Sequence, residues 1–300
     1  MPAVFLSAHS SQLSSSVRIR VKCAEPLLWR HVFACRNAKG FWLLRSANVR
    51  RPSIIIMWDV GGYMQSLGVI RQLRRYPVKS MGGEPLEGCT FTLQGIPGDR
   101  RYAFVQKASR SSFPWLTARE LPELLCYSTF AAKVDPREAE VIVTTPSGER
   151  LAVTSDELRQ ALESHSGREL FLLYDYRGSY DVAPISLISS QTVGRLAEES
   201  ETKEDHVRFR PNLLVDLETG EAFDDLSWVG RILRIGNAAR IAITEVDQRC
   251  MIITLDPNTA QPSPSVLRCV VQQHKQCAGV YATVLTPGEV RVGDIVSMEA

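Results

Sequence analysis

No run in this 300-residue chain approaches the ~20 consecutive apolar residues that cross a bilayer as a helix. The longest candidates, Ser53 to Met57 and Met251 to Leu255, are strand-sized. A helical integral membrane protein is excluded. Glycine-rich phosphate loops of the G-x-x-x-x-G-K-[ST] and G-x-G-x-x-G types are missing, as are G-x-S-x-G and H-E-x-x-H. NTPase, dinucleotide-binding, α/β-hydrolase and zincin readings lose their support. A surplus of one charge sign is also missing, because 35 basic side chains meet 33 acidic ones for a net +2. Such a chain sets up no global field to draw in nucleic acid or an anionic membrane. Cysteine is sparse and odd in number, seven in all, with no secretory pattern at the start. Free thiols in a reducing compartment follow, each either core filler or chemistry.

The charge balance hides an asymmetry. Residues 1–63 carry nine basic side chains against Glu25 and Asp59, which leaves the rest at net −5. Their scattered Ser and Arg and poor periodicity set them apart from the fold. Two explanations compete, a transit-type leader or upstream sequence translated from an early start codon. The second is favoured, since Trp29, Trp42 and Trp58 suit a targeting peptide badly. Localisation follows the same fork: cytoplasmic for a bacterial chain, mitochondrial if residues 1–63 are a transit segment.

From Leu67 the pattern sharpens. Leu67 to Val78 reads as a strand running into a loop, Phe91 to Leu93 and Tyr102 to Val105 as a strand pair, and residues 140–145 and 150–153 as a hairpin. Thr117 to Leu125 reads as a short helix interrupted at Pro122. Thr154 with Glu157 forms a capping box for a helix that buries Leu158, Ala161 and Leu162 and stops at Gly167. Beyond it lie a strand at Leu170 to Tyr174, a helix over 190–199, and strands at 213–216, 231–235, 240–245, 251–255, 280–285 and 290–298. The fold class is therefore β-rich α+β, in three parts: residues 1–63 as a leader, 64–158 as a first β-barrel-like domain, and 159–300 as a second.

Three basic clusters sit beside strands: Lys79 with Ser80, Arg100 with Arg101, and Arg208 with Arg210. Each alone is a solvated charge run. Together with Cys250 next to Arg249, in a body of net −5, they point to a local anionic site. Cys250 has a bland reading as a small buried hydrophobe before Met251-Ile252-Ile253 and a sharper one as a thiolate ligand tuned by Arg249. Asp181 reads either as a turn carboxylate or as a proton donor or acceptor. Cys269, His274 and Cys277 have the spacing C-x4-H-x2-C but no fourth ligand nearby, so two partly buried thiols and a surface imidazole are favoured over zinc.

In order along the chain stand Tyr76-Pro-Val-Lys-Ser80, Gly98-Asp-Arg100, Leu116-Thr-Ala-Arg119, Asp181 with Pro184, Phe209-Arg-Pro-Asn212, Arg249-Cys250, Asp256-Pro257, Gly279-Val-Tyr281 and Val292-Gly-Asp294. This set resembles MOSC-domain proteins that carry a MOSC N-terminal β-barrel domain, the group that includes the mitochondrial amidoxime-reducing component and bacterial relatives. The resemblance runs from about Gly68 to Met298. It implies a molybdenum cofactor (Mo-molybdopterin) with Cys250 as the metal ligand. Lys79, Ser80, Arg100, Arg210, Asn212 and Arg249 would hold the pterin and its phosphate, and Asp181 would lie close to the metal. The implied activity is an oxidoreductase that reduces small N-hydroxylated compounds. The alternative is a cofactor carrier or sulfur-transfer module without turnover of its own. With no C-x4-C-x2-C run in the sequence, electrons are expected from a separate donor of ferredoxin or haem/flavin reductase type.

Overall fold

The structure, a computed structural model of the chain, describes residues 65–107, 109–131 and 140–299. Residues 1–63 form a separate unit, of which only the backbone of five short strands, paired into one sheet, is given. The leader expectation falls outside the described residues.

The longest early strand, β1 (Gln65–Arg75), is followed by β2 (Glu84–Leu86), β3 (Gly88–Phe91), β4 (Tyr102–Gln106), β5 (Ser128–Ala131), β6 (Val141–Thr144) and β7 (Arg150–Ala152). Then come α1 (Asp156–Ser166), β8 (Leu170–Tyr174), β9 (Ile185–Ser189), α2 (Ser190–Glu199), β10 (Leu213–Leu217), β11 (Ile232–Ile235) and β12 (Ala239–Gln248). Helix α3 (Ser265–Gln273), β13 (Cys277–Thr286), β14 (Gly288–Arg291) and β15 (Ile295–Met298) complete the order. Seven strands close a barrel in the order β10-β9-β13-β12-β11-β15-β1, sealed by antiparallel pairing of β1 with β10. Closure removes the exposed sheet edge. The seam needs Gly68: a Cβ there would lie 2.0 Å from the Asp216 carbonyl oxygen. A register shift opposite Leu214 and Val215 leaves Arg71 as an extra residue on β1. Ile70 and Leu73, three apart, thereby both face the interior, which strict alternation forbids.

That interior is apolar throughout: Ile70, Leu73, Ile185, Leu213, Ile241 and Val280 are among its members. A second core joins Val78, Phe104, Leu116, Val143, Leu158, Leu162 and Leu170. There α1 packs on β8 and on the three-stranded sheet β5-β6-β7. A third core holds α2 and α3 together through Val193, Leu196, Val266 and Val270. The described part is thus a β-rich chain with a closed barrel and three α-helices, as the sequence pattern predicts.

Several local expectations change. The strands at Phe91 and Tyr102 do not pair with each other: β3 pairs with β14, and β4 pairs with β8. Of the helix expected over Thr117 to Leu125, a 3-10 turn at Pro122–Cys126 forms. The α1 cap is Ser155, not Thr154; its hydroxyl accepts from the Leu158 N–H at 3.2 Å. Met251–Thr254 is a 3-10 turn rather than a strand, because the chain bends at Cys250; Ile253, Thr254 and Leu255 are buried, and Met251 is left exposed. Val290 to Met298 is two strands, broken where Gly293 takes a left-handed turn at φ 90°. Helix α3 was not expected: it starts at Pro264 with no side-chain cap and is rich in β-branched valine. Its signal was the burial spacing of Val266, Cys269 and Val270.

Candidate functional site

The loops that leave β1 and β4, the end of β12 and Tyr281 on β13 enclose a cleft of about 270 Å³. Of the residues singled out in the sequence, Lys79, Ser80, Arg100, Asp181, Arg210, Arg249 and Cys250 all line it. Asn212 does not. Its buried amide oxygen accepts from Arg100 Nη1 at 3.2 Å and from the Ser186 N–H at 3.1 Å, so it positions Arg100 from behind.

Positive charge is in excess. Six basic residues line the cleft (Lys79, Arg100, Arg119, Arg208, Arg210 and Arg249) against three acids, Asp181, Glu245 and Asp247. Arg100 and Arg210 both lie over the Tyr76 ring, at 4.9 and 4.5 Å from its centroid. Arg100 is paired with Asp99, whereas Arg210 has no carboxylate ion pair among the described residues. Burial, with the like charge of Arg100 adding to it, pushes Arg210 down to about 10. Two guanidiniums on one ring with a single carboxylate between them form a natural anion receptor.

Three of the lining residues hold left-handed backbone: Ser80 at φ 66°, Arg100 at φ 49° and Arg210 at φ 54°. Each such non-glycine position costs on the order of 1–3 kcal/mol and persists only where its surroundings over-determine it. Local bonds supply that here. Arg100 N–H donates to the Tyr76 carbonyl at 2.7 Å, and Arg210 N–H closes the turn onto Val207 at 2.9 Å. The strain aims three polar side chains into one space.

Arg249 is buried at the end of β12. Its Nε donates to Ala278 O at 2.7 Å, and its Nη1 bonds Phe209 O at 2.8 Å and Asp247 Oδ2 at 2.9 Å. Its Nη2 is buried with no hydrogen-bond partner among the described residues, as is Ser186 Oγ, and both residues line the cleft. Leaving a charged donor unpaired costs a few kcal/mol unless a ligand accepts from it. Gly279 packs against that Nη2 and has room for no side chain: it sits at φ 80°, where a Cβ would lie 3.1 Å from Nη2 and 2.6 Å from the Leu187 carbonyl oxygen.

Cys250 follows, half-buried, with Arg119 Nη2 at 3.4 Å from its sulfur. Arg119 belongs to the Leu116–Arg119 stretch, yet sequence reasoning gave it no role. Opposite, Lys79 Nζ bonds Asp181 Oδ1 at 2.6 Å and Ser179 O at 2.7 Å, and it lies 4.8 Å from the Trp115 ring centroid. Burial lowers Lys79 despite Asp181. The Asp181 side chain is 49% exposed. Burial pushes its carboxyl up, but Lys79, then Arg100 and Arg119, outweigh this and hold it below the ordinary value.

Asp247 is the acid that sequence reasoning missed. It is 3% exposed, and burial outweighs Arg249 and the Tyr281 hydrogen bond to push it up to about 6. The alternation that buries residues 239, 241 and 243 of β12 breaks at Glu245, which is exposed, and register shifts follow on either side of it, so no strand phase announces Asp247. Tyr281 was likewise unassigned, and Arg208, singled out only as part of a basic cluster, lines the cleft beside it.

Residues 67–171 match the MOSC N-terminal beta barrel domain, and residues 174–297 match the MOSC domain. Human mitochondrial amidoxime-reducing component 1 is 22% identical over 292 residues, covering 77% of this chain and 83% of that protein. Among solved structures, the YuaD protein of Bacillus subtilis is similar at 16% identity and TM-score 0.43, over 79% of this chain and 98% of its own. YiiM of Geobacillus stearothermophilus is similar at 20% identity and TM-score 0.32, over 39% and 54%. Two adjoining domain matches that together run through the barrel, the second core and the cleft make the assignment: the chain belongs to the MOSC-domain family, with a MOSC N-terminal barrel domain ahead of the MOSC domain.

Proposed function

We propose that the cleft binds the molybdenum cofactor and that the protein is an oxidoreductase reducing small N-hydroxylated compounds with electrons from a separate donor protein. The observation that carries this reading is the buried, unpartnered Nη2 of Arg249 in a cleft whose cations outnumber its acids and which ends on a thiol. A phosphorylated, dithiolene-bearing pterin offers anionic oxygens to the first feature and a soft metal to the second. The residues present fit that group. Lys79, Ser80, Arg100, Arg210 and Arg249 would hold it, with Asn212 fixing Arg100, and Cys250 would ligate the metal. When bound, the cofactor supplies two-electron redox chemistry that the side chains lack.

The chain's own part is binding and protons. Reducing an N–OH group to N–H and water consumes two electrons and two protons. Asp181, held ionised by Lys79 at the cleft mouth, accepts and passes on protons rather than storing one. Asp247, raised toward neutrality, stores one closer to working pH. Phe113 and Trp115 shield the Lys79 side from water.

Protein from a cofactor-competent host should contain near-stoichiometric molybdenum and pterin and should reduce a generic amidoxime with an artificial reductant. Stoichiometric cofactor without turnover would favour the carrier or sulfur-transfer reading. Neither metal nor pterin would sink both.

A further inference from the structure

Beside the third core, where α2 meets α3, three donor types come together outside the cleft. Glu199 ends α2, Cys269 lies on α3, and His274 follows α3's last residue. One carboxylate oxygen, Glu199 Oε2, accepts from Cys269 Sγ at 3.4 Å and contacts His274 Nε2 at 2.5 Å. All three donor atoms lie within 4.8 Å of one another. Cys277, the third member of the C-x4-H-x2-C spacing, turns away and bonds Lys275 O at 3.3 Å. The sequence spacing was read with the wrong third residue; the carboxylate comes from a helix 70 residues upstream of Cys269.

We infer that Glu199, Cys269 and His274 form a binding site for a divalent transition metal of the zinc type, with a water at the fourth position. A tetrahedral zinc with bonds of about 2.0–2.3 Å spaces its ligands about 3.3–3.8 Å apart. The Cys269–Glu199 distance already meets that, and the His274–Glu199 contact opens by less than about 1 Å to reach it. The imidazole is held for the purpose, stacked on Phe223 at 3.9 Å with an interplanar angle of 19°. Mixed S, N and O donors select zinc, cobalt or nickel over magnesium and calcium. Without metal, the Cys269 thiol keeps its proton, pushed up to about 11 by burial and by Glu199. Metal uptake therefore releases that proton. His274 and Glu199 are partly exposed, at 16% and 23% of the side chain, so the fourth position opens to solvent.

The site would brace the cleft. Directly after His274, Lys275 and Gln276 take left-handed backbone at φ 52° and 63°. Gln276 then holds Arg249 on both sides: its carbonyl accepts the Arg249 N–H at 2.8 Å, and its side-chain amide donates to Arg249 O at 3.0 Å. A metal on His274 fixes the turn that positions the residue before Cys250. This assignment does not depend on the cofactor reading.

The test uses the full chain, stripped of metal by a chelator and titrated with cobalt(II) as an optical probe and with zinc. One cobalt per chain with a thiolate-to-metal charge-transfer band is expected. The band should persist in Cys250→Ser and Cys277→Ser and vanish in Cys269→Ser. Glu199→Gln should keep the fold and weaken zinc binding by about tenfold or more. Saturating zinc should raise the melting temperature of the parent chain but not that of Cys269→Ser. A band that survives Cys269→Ser, a band lost in Cys250→Ser instead, or a parent chain with neither band nor thermal shift would each overturn the site. Should Cys269→Ser fail to fold, unchanged zinc affinity in Glu199→Gln overturns it alone.

Discussion

The barrel interior and the cleft at its rim are built from the same strands and obey opposite rules. On β12, Ala239, Ile241 and Ile243 belong to the apolar core of the barrel, while Glu245, Asp247 and Gln248 at the other end line the cleft. On the β1 side, Ile70 and Leu73 belong to the interior, and the chain that follows carries Lys79 and Ser80 to the cleft. The interior contributes roughly 1.5–3 kcal/mol for each large apolar side chain it hides from water. The cleft holds left-handed residues, like charges on one ring and one guanidinium nitrogen, Arg249 Nη2, without a partner among the described residues, each of which costs stability. The lesson is a division of labour along single strands: alternation secures the scaffold, and the strand ends carry groups the scaffold has to hold in place.

The sharpest way to separate the two regions is a pair of substitutions. Cys250→Ser should reduce metal content and amidoxime turnover to background while leaving the unfolding free energy of cofactor-free protein within about 0.5 kcal/mol of the parent. Leu73→Ala should do the reverse. Deleting this fully buried interior side chain should cost about 2–5 kcal/mol by thermal or denaturant unfolding, with cofactor per folded molecule unchanged. If Leu73→Ala empties the cleft at temperatures where the protein remains folded, the two regions are not separable.

Arg210→Met sharpens the contrast further, because it should move function and stability in opposite directions. Arg210 is buried over Tyr76 beside Arg100 without a carboxylate of its own. Losing it should weaken pterin retention by about 10- to 100-fold, at about 1.4 kcal/mol per factor of ten, and soften its salt dependence. The melting temperature of cofactor-free protein should stay level or rise, since a desolvated like charge has been replaced by a thioether stem. A fall in melting temperature would mean that Arg210 is structural, and the charge surplus would lose its functional meaning.

What the sequence made legible divides along the same line. Alternating apolar strands, Gly167 as a helix stop and turn signals made the β-rich two-part fold readable, because each is a local property. Lys79, Ser80, Arg100, Arg210, Arg249 and Cys250 could be singled out from basic clusters and motif order, and all of them line one cleft. Asn212 looked like a cleft residue only because it adjoins Arg210; an intervening turn sends its side chain the other way, behind Arg100. Arg119 and Asp247 escaped because their meaning lies in what they approach, Cys250 across 131 residues and the Arg249 guanidinium. The Glu199 partnership of Cys269 and His274 escaped for the same reason. Contacts between elements carry no local periodicity.

The smallest effect, and the one that decides between burial and ion pairing in the cleft, is the pH dependence of stability at its two contrasting acids. Asp247 is raised from 3.8 to about 6, chiefly by burial. The fold therefore binds that proton more tightly than the unfolded chain does. Its contribution to stability is full below about pH 4 and is lost as pH rises through about 6. Asp181 runs the other way: its carboxyl is held below the ordinary value by Lys79 against burial, so its contribution is present above the unfolded value and is lost as pH falls through the folded one. Melting temperatures of cofactor-free parent, Asp247→Asn and Asp181→Asn should be measured from pH 4 to pH 7.5. The parent minus Asp247→Asn difference should fall with rising pH, and the parent minus Asp181→Asn difference should rise gently, discounted because that side chain is 49% exposed. If the Asp247 curve instead rises with pH, Arg249 outweighs burial, the carboxyl is ionised throughout, and the proton for N–O cleavage has to come from another group.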